Sequence, residues 1–115
     1  MLKTIKVDFS FSDERGTLVQ LIHEGYRQIN VITSKKGVIR GGHYHKQNEE
    51  AFYIVQGKLK VDVNGKEFIF KTGDFFGIEA NDMHSFFFLE DTTIVSMYSS
   101  GVELENGEKD IYTGV

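Results

Sequence analysis

Residues 40–57 read RGGHYHKQNEEAFYIVQG. Two of the chain's four histidines stand here two residues apart, and two adjacent glutamates follow them. Alternate side chains of a β-strand point to one face. VIRGGHYH has a strand-like pattern, so His43 and His45 are expected to project side by side, with Tyr44 on the opposite face. KQNE then turns the chain, and EAFYIVQ is expected to run back beside it. A carboxylate at the head of that returning strand can approach both imidazoles. Parity groups Glu50 with Phe52 and Ile54, and Glu49 with Ala51, Tyr53 and Val55; it does not choose between the glutamates. His84 follows the turn EAND, opens HSFFFLE and offers a third imidazole. His23, in LIHEGY, has no ligand-like spacing. Three imidazoles and a carboxylate suit a first-row divalent metal. Plain hydrogen-bonded histidines in a barrel are the bland alternative, and spacing alone does not choose.

The same alternation extends in both directions. Glycine punctuates the chain, proline is absent, and the runs between are rich in Val, Ile, Phe, Tyr and Thr. Strands are expected near 3–9, 17–22, 28–34, 38–45, 51–56, 58–63, 66–71, 75–79, 84–90 and 92–98. Asn64-Gly65, between KLKVDV and KEFIFK, is the strongest turn signal, because a two-residue hairpin turn needs positive φ at both positions. No window has a sustained helical period. Ten short, evenly spaced strands predict an all-β sandwich or barrel.

A chain of 115 residues is enough for one hydrophobic core, so residues 1–115 are expected to form a single domain. The net charge of −4 gives no long-range attraction for nucleic acid. Without cysteine, thiolate metal sites and disulfides are excluded. MLKTIKVDFS lacks the apolar core of a signal peptide, and no later run has the length of a membrane span, so the cytoplasm is the expected compartment.

These residues resemble the cupin family. Its first motif is matched by Gly37, VIRGG, His43-Tyr44-His45, KQNE, Glu50, AFYIVQ and Gly57, and the six-residue gap to Gly57 selects Glu50 over Glu49. The second is matched in part by Gly73, DFFGI, Glu79-Ala80-Asn81, DM, His84, SFF and Phe88. The family's proline, second glycine and final asparagine are missing here, which is expected to relax the turn while leaving His84 in place. The resemblance implies a double-stranded β-helix, or jelly-roll barrel. It also implies a divalent metal on His43, His45, Glu50 and His84, with zinc favoured over iron, manganese or nickel.

A closer resemblance joins Asp13, Arg15 and Gly16 to Arg40, Gly41, His43, His45 and Lys46. It is similar to the C-terminal cupin domain of capsular-polysaccharide UDP-sugar epimerase/reductases and, more loosely, to dTDP-sugar 3,4-ketoisomerases. The ketoisomerases carry glutamine near the Glu50 position and work without metal, so Glu50 and His84 tilt the chain toward the metal-bearing branch. The implied activity is epimerisation or ketoisomerisation of a nucleotide-linked keto sugar in surface-polysaccharide synthesis. His43 and Tyr53 are the candidate catalytic residues, and Arg40 and Lys46 the candidate diphosphate contacts. Tyr53 and Tyr44 qualify as proton relays only if they face the cavity, and parity counts against Tyr44. A homodimer is also implied, with TIKVDF exchanged or paired between subunits. The rival classes are a metal-dependent dioxygenase with an apolar pocket and a non-catalytic ligand-binding cupin.

Overall fold

The computed structural model describes residues 2–23 and 25–113. Twelve strands and no helix occur among them: β1 (Lys3–Thr4), β2 (Phe9–Asp13), β3 (Gly16–Gln20), β4 (Gln28–Ser34), β5 (Ile39–Tyr44), β6 (Glu50–Gln56), β7 (Lys58–Val63), β8 (Lys66–Lys71), β9 (Phe75–Ile78), β10 (His84–Phe88), β11 (Thr92–Tyr98) and β12 (Tyr112–Thr113). Among the described residues no helix is long and apolar enough to cross a membrane.

The strands form two five-stranded antiparallel sheets, in the orders β1-β9-β6-β11-β4 and β12-β5-β10-β7-β8. This is the expected jelly-roll. Inward-facing residues of the two sheets meet between them: Phe52 and Ile54 of β6, Leu59 and Val61 of β7, Phe76 of β9 and Phe86 of β10 are all buried. Phe76 lies against Phe70 with ring centroids 4.1 Å apart and against Phe52 at 5.2 Å. The opposite parity of β7 carries Lys58, Lys60 and Asp62 outward, as period two requires. Asn64 and Gly65 adopt φ of 52° and 87°, the left-handed pair expected of the β7–β8 hairpin.

Nine of the ten expected strands appear with small changes at their ends, and the one nearest the N-terminus needs correction. The run expected at 3–9 is broken. Lys3 and Thr4 pair with Gly77 and Phe76 of β9, within this chain, and the backbone then leaves the sheet. Residues 9–13 and 16–20 form a separate hairpin turned by DERG. Alternation runs unbroken through TIKVDFSFSD, so it could not show that the two halves pair with different partners. The short β12 was not anticipated. It pairs Tyr112 and Thr113 with Tyr44 and His43 of β5.

Candidate metal and substrate site

His43 lies on β5, His45 just past its end, Glu50 at the head of β6 and His84 at the head of β10. Pairing sets them together. His84 is the cross-strand partner of His43, and Glu50 is that of Tyr98 on β11. Close approach of β5 to β10 needs Gly41: a Cβ there would lie 2.8 Å from the carbonyl oxygen of His84, and φ is +96°. The four donor atoms lie within 4.8 Å of one another. His45 Nε2 stands 2.6 Å, and His84 Nε2 3.0 Å, from Glu50 Oε1. His45, Glu50 and His84 are 2%, 4% and 3% exposed, while His43 is half-buried at the cavity wall. Glu49 lies exposed with its N–H donating to Ser99 Oγ, and Glu50 is the glutamate that stands with the three imidazoles.

Backbone carbonyls determine which imidazole nitrogens face inward. His45 Nδ1 donates to the carbonyl of Asp110 at 2.5 Å, and His84 Nδ1 to that of Asp82 at 2.9 Å. A carbonyl only accepts, so each Nδ1 carries a proton and each Nε2 is the ring nitrogen aimed at Glu50. Lone pairs facing a carboxylate oxygen at such distances repel unless a cation lies between them. His45 Nε2 and Glu50 Oε1 are also buried without an aligned hydrogen-bond partner. A proton or a metal ion answers both observations. Donors bound at about 2.0–2.2 Å to one ion stand no more than about 4.4 Å apart. A tetrahedral ion would hold such donors about 3.3–3.6 Å apart, so the set fits one once the His45–Glu50 pair opens and the widest pair closes, and its three nitrogens and one oxygen match zinc or another first-row metal.

Electrostatics follow the same arrangement. Burial opposes the charge on Glu50, but the hydrogen bonds and charges of His45 and His84 outweigh it and hold its pKa down to about 2. Burial likewise opposes protonation of His45, and Glu50 with Asp110 overcomes it, raising the pKa. His43 goes the other way, to about 4, because burial is joined by repulsion from His84 and His45. Tyr98 is pushed up by burial and then by the Glu50 charge, so it keeps its proton at neutral pH.

His43, Glu50 and His84 line a cavity of about 220 Å³ together with Ile32, Arg40, Phe52, Phe86, Ser96 and Tyr98, and His45 lies behind them. Arg40 is fixed at its edge by hydrogen bonds to Ser34 Oγ (2.7 Å) and the Thr33 carbonyl (3.2 Å). Lys46 is not in the lining; its Nζ sits 4.2 Å from the centroid of the Tyr112 ring, with Tyr44 packed on that same ring. Tyr53 points away from the cavity and packs on Phe75 on the outer side of its sheet, which removes it from the catalytic candidates. The cause is the parity that puts Glu50, Phe52 and Ile54 inward. The second-motif turn is not relaxed as expected. Asn81 takes φ of +70°, a left-handed conformation that asparagine tolerates, and its N–H donates to the His45 carbonyl at 2.6 Å. Phe88 is a buried core residue, which suits an apolar side chain where the family has asparagine.

Tyr98 and Ser96 were missed in the sequence. Thr92, Ile94, Ser96 and Tyr98 share one parity of β11, and following it past the apolar Ile94 would have brought both to the cavity.

A family model described as the cupin domain matches residues 30–100. Fifty residues are 38% identical to UDP-2-acetamido-2,6-beta-L-arabino-hexul-4-ose reductase of Pseudomonas aeruginosa, over 43% of this chain and 13% of that protein. Sixty-one residues are 36% identical to quercetin 2,3-dioxygenase of Bacillus subtilis, over 51% of this chain and 18% of that protein. The stretches shared with these two relatives thus cover less than a fifth of their length. Among solved structures, a sugar 3,4-ketoisomerase of Thermoanaerobacterium thermosaccharolyticum in complex with TDP superposes with a TM-score of 0.77. It is 19% identical, over 98% of this chain and 88% of that chain, a likeness of fold.

Proposed function

The chain belongs to the cupin family, and we propose that it is a metal-dependent epimerase or ketoisomerase acting on a nucleotide-linked keto sugar in surface-polysaccharide synthesis. The observation that carries this reading is the buried Glu50 with three imidazoles beside a cavity that Arg40 borders. The UDP-sugar reductase and the TDP-bound ketoisomerase supply the sugar-nucleotide class by likeness.

A hydrogen beside a ketone is acidic, and its removal leaves an enolate. His43, His45, Glu50 and His84 would hold a divalent ion, zinc in our reading, which supplies Lewis-acid stabilisation of that oxyanion when bound. As one of those ligands His43, half-buried at the cavity wall, would act by holding the ion beside the ketone. Tyr98 belongs to the opposite sheet and faces the same cavity with a hydroxyl that can donate. Ligand pockets span about 300–1,000 Å³. At 220 Å³ the cavity suits the sugar ring, leaving the nucleotide outside against Arg40.

We also assign a homodimer, with a different exchanged element from the one expected. TIKVDF begins by pairing within its own chain, whereas the β2–β3 hairpin pairs only with itself. A lone two-stranded hairpin is marginal in water. Phe11 and Leu18 face the same side of it, 56% and 55% exposed, and Val31 on the edge strand β4 is 70% exposed. A second copy supplies each exposed surface with its complement by a two-fold axis.

The test of function is solvent deuterium exchange into the carbon beside the ketone of 4-keto nucleotide sugars. Exchange that is lost in His43→Ala supports the assignment. Ile32, Phe52 and Phe86 make part of the cavity apolar, which favours the dioxygenase as a second reading. Absence of exchange together with oxygen uptake on an enolic substrate decides for it.

A further inference from the structure

Asp110 is fully buried, lies outside the stretch matched by the family model, and is unused in the chemistry above. A buried carboxylate is costly unless its lone pairs are met. Here Lys46 N–H donates to Oδ1 at 2.9 Å, while Gln47 N–H at 2.8 Å and Asn48 Nδ2 at 2.9 Å donate to Oδ2. The backbone carbonyl of the same residue accepts His45 Nδ1–H. Asn48, itself buried, completes the attachment: its Oδ1 accepts from Ser100 and Gly101 N–H, and its Nδ2 also donates to the Gly101 carbonyl. Every residue from His45 to Asn48 is therefore tied to the segment that follows β11, and Asp110 is the point where three of the turn's donors and the His45 ring converge. A turn needing only closure would not need a carbonyl aimed at an imidazole.

We propose that Asp110 is the positioning residue of the metal centre. Its carboxylate clamps residues 46–48, which aligns its own carbonyl on His45 Nδ1–H and keeps the Nε2 edge of the ring directed at Glu50 before any ion arrives. The segment after β11 is then part of the site, although it contributes no ligand. This inference rests on the reading of the His/Glu cluster as a metal site, and its first readout does not.

The experiment uses the full chain without metal. Long-range ¹H–¹⁵N imidazole spectra are expected to show the His45 Nδ1 carrying a proton in the wild type and a mixture of ring states in Asp110→Asn, whose side-chain amide keeps one acceptor and turns donors toward donors. Zinc affinity, measured by chelator competition, is expected to fall about 10–100-fold, the range for residues that orient ligands. Val102→Ala controls for loosening, because it thins the same segment and leaves every Asp110 oxygen in place. It is expected to lower Tm while keeping the ring state and zinc affinity. A wild-type His45 with no proton on Nδ1 overturns the proposal even if Asp110→Asn does not fold. So does an Asp110→Asn protein that keeps the ring state and binds zinc within threefold, or a Val102→Ala protein that loses zinc equally. Wild type that shows the Nδ1 proton but binds no zinc overturns the metal reading and leaves the clamp standing.

Discussion

The β2–β3 arm and the barrel around β6, β7 and β10 are written in the same alphabet and adopt opposite roles. FSFSD alternates aromatic and polar residues as cleanly as KLKVDV alternates aliphatic and polar ones. In the barrel a second sheet covers the apolar face, and Leu59, Val61 and Val63 are fully buried. On the arm the described residues leave Phe11 more than half exposed. Burial thus depends on a partner surface that alternation does not specify. Where the partner is the chain's own second sheet, a core and a site form. Where it is missing, the same pattern makes a surface suited to a second copy. The contrast extends to polar groups. Asp13 meets Arg15 at 2.6 Å at the exposed arm tip, a pair of little energetic weight, whereas Glu50 meets two imidazoles in the protein interior.

The comparison breaks most severely if a barrel aromatic proves dispensable. Phe76→Ala is expected to cost about 3–5 kcal/mol in denaturant unfolding, the usual loss for a buried phenylalanine. A cost below about 1 kcal/mol would show that the core between the sheets is not as described. Next in size is the interior carboxylate. Glu50→Gln is expected to weaken zinc binding at least about 100-fold, or about 2.8 kcal/mol, while Glu49→Gln stays within about threefold. Equal losses would mean that the burial of Glu50 is irrelevant to metal. On the arm, Phe11→Asp is expected to raise the dimer dissociation constant about tenfold or more by sedimentation, with unfolding of the monomer changed by no more than about 0.5 kcal/mol. An unchanged oligomer would place the interface elsewhere. The smallest effect is at Ser96, whose buried hydroxyl has no hydrogen-bond partner among the described residues. Removing an unmet polar group relieves its desolvation cost, so Ser96→Ala is expected to stabilise the metal-free protein by up to about 1 kcal/mol, about 4 °C in Tm. A lowered Tm would show that the hydroxyl is satisfied after all.

The sequence by itself determined the strand character of nearly every segment, the β7–β8 turn, and the shared parity of His43 and His45, while the choice of Glu50 over Glu49 came from the family spacing. These are local matters: two-residue alternation reports which side chains share a face, and Asn64-Gly65 reports a backbone that few other pairs adopt. Tertiary structure decided what lies opposite each face. It turned Tyr53 outward onto Phe75, carried Lys46 to Tyr112, brought Tyr98 and Ser96 to the cavity, and split TIKVDFSFSD between a barrel sheet and a free arm. It also set Asp110 beneath His45, 65 residues away in the chain. Alternation carries no information about such distant partners, because strand pairing between remote segments is set by the packing of the whole barrel.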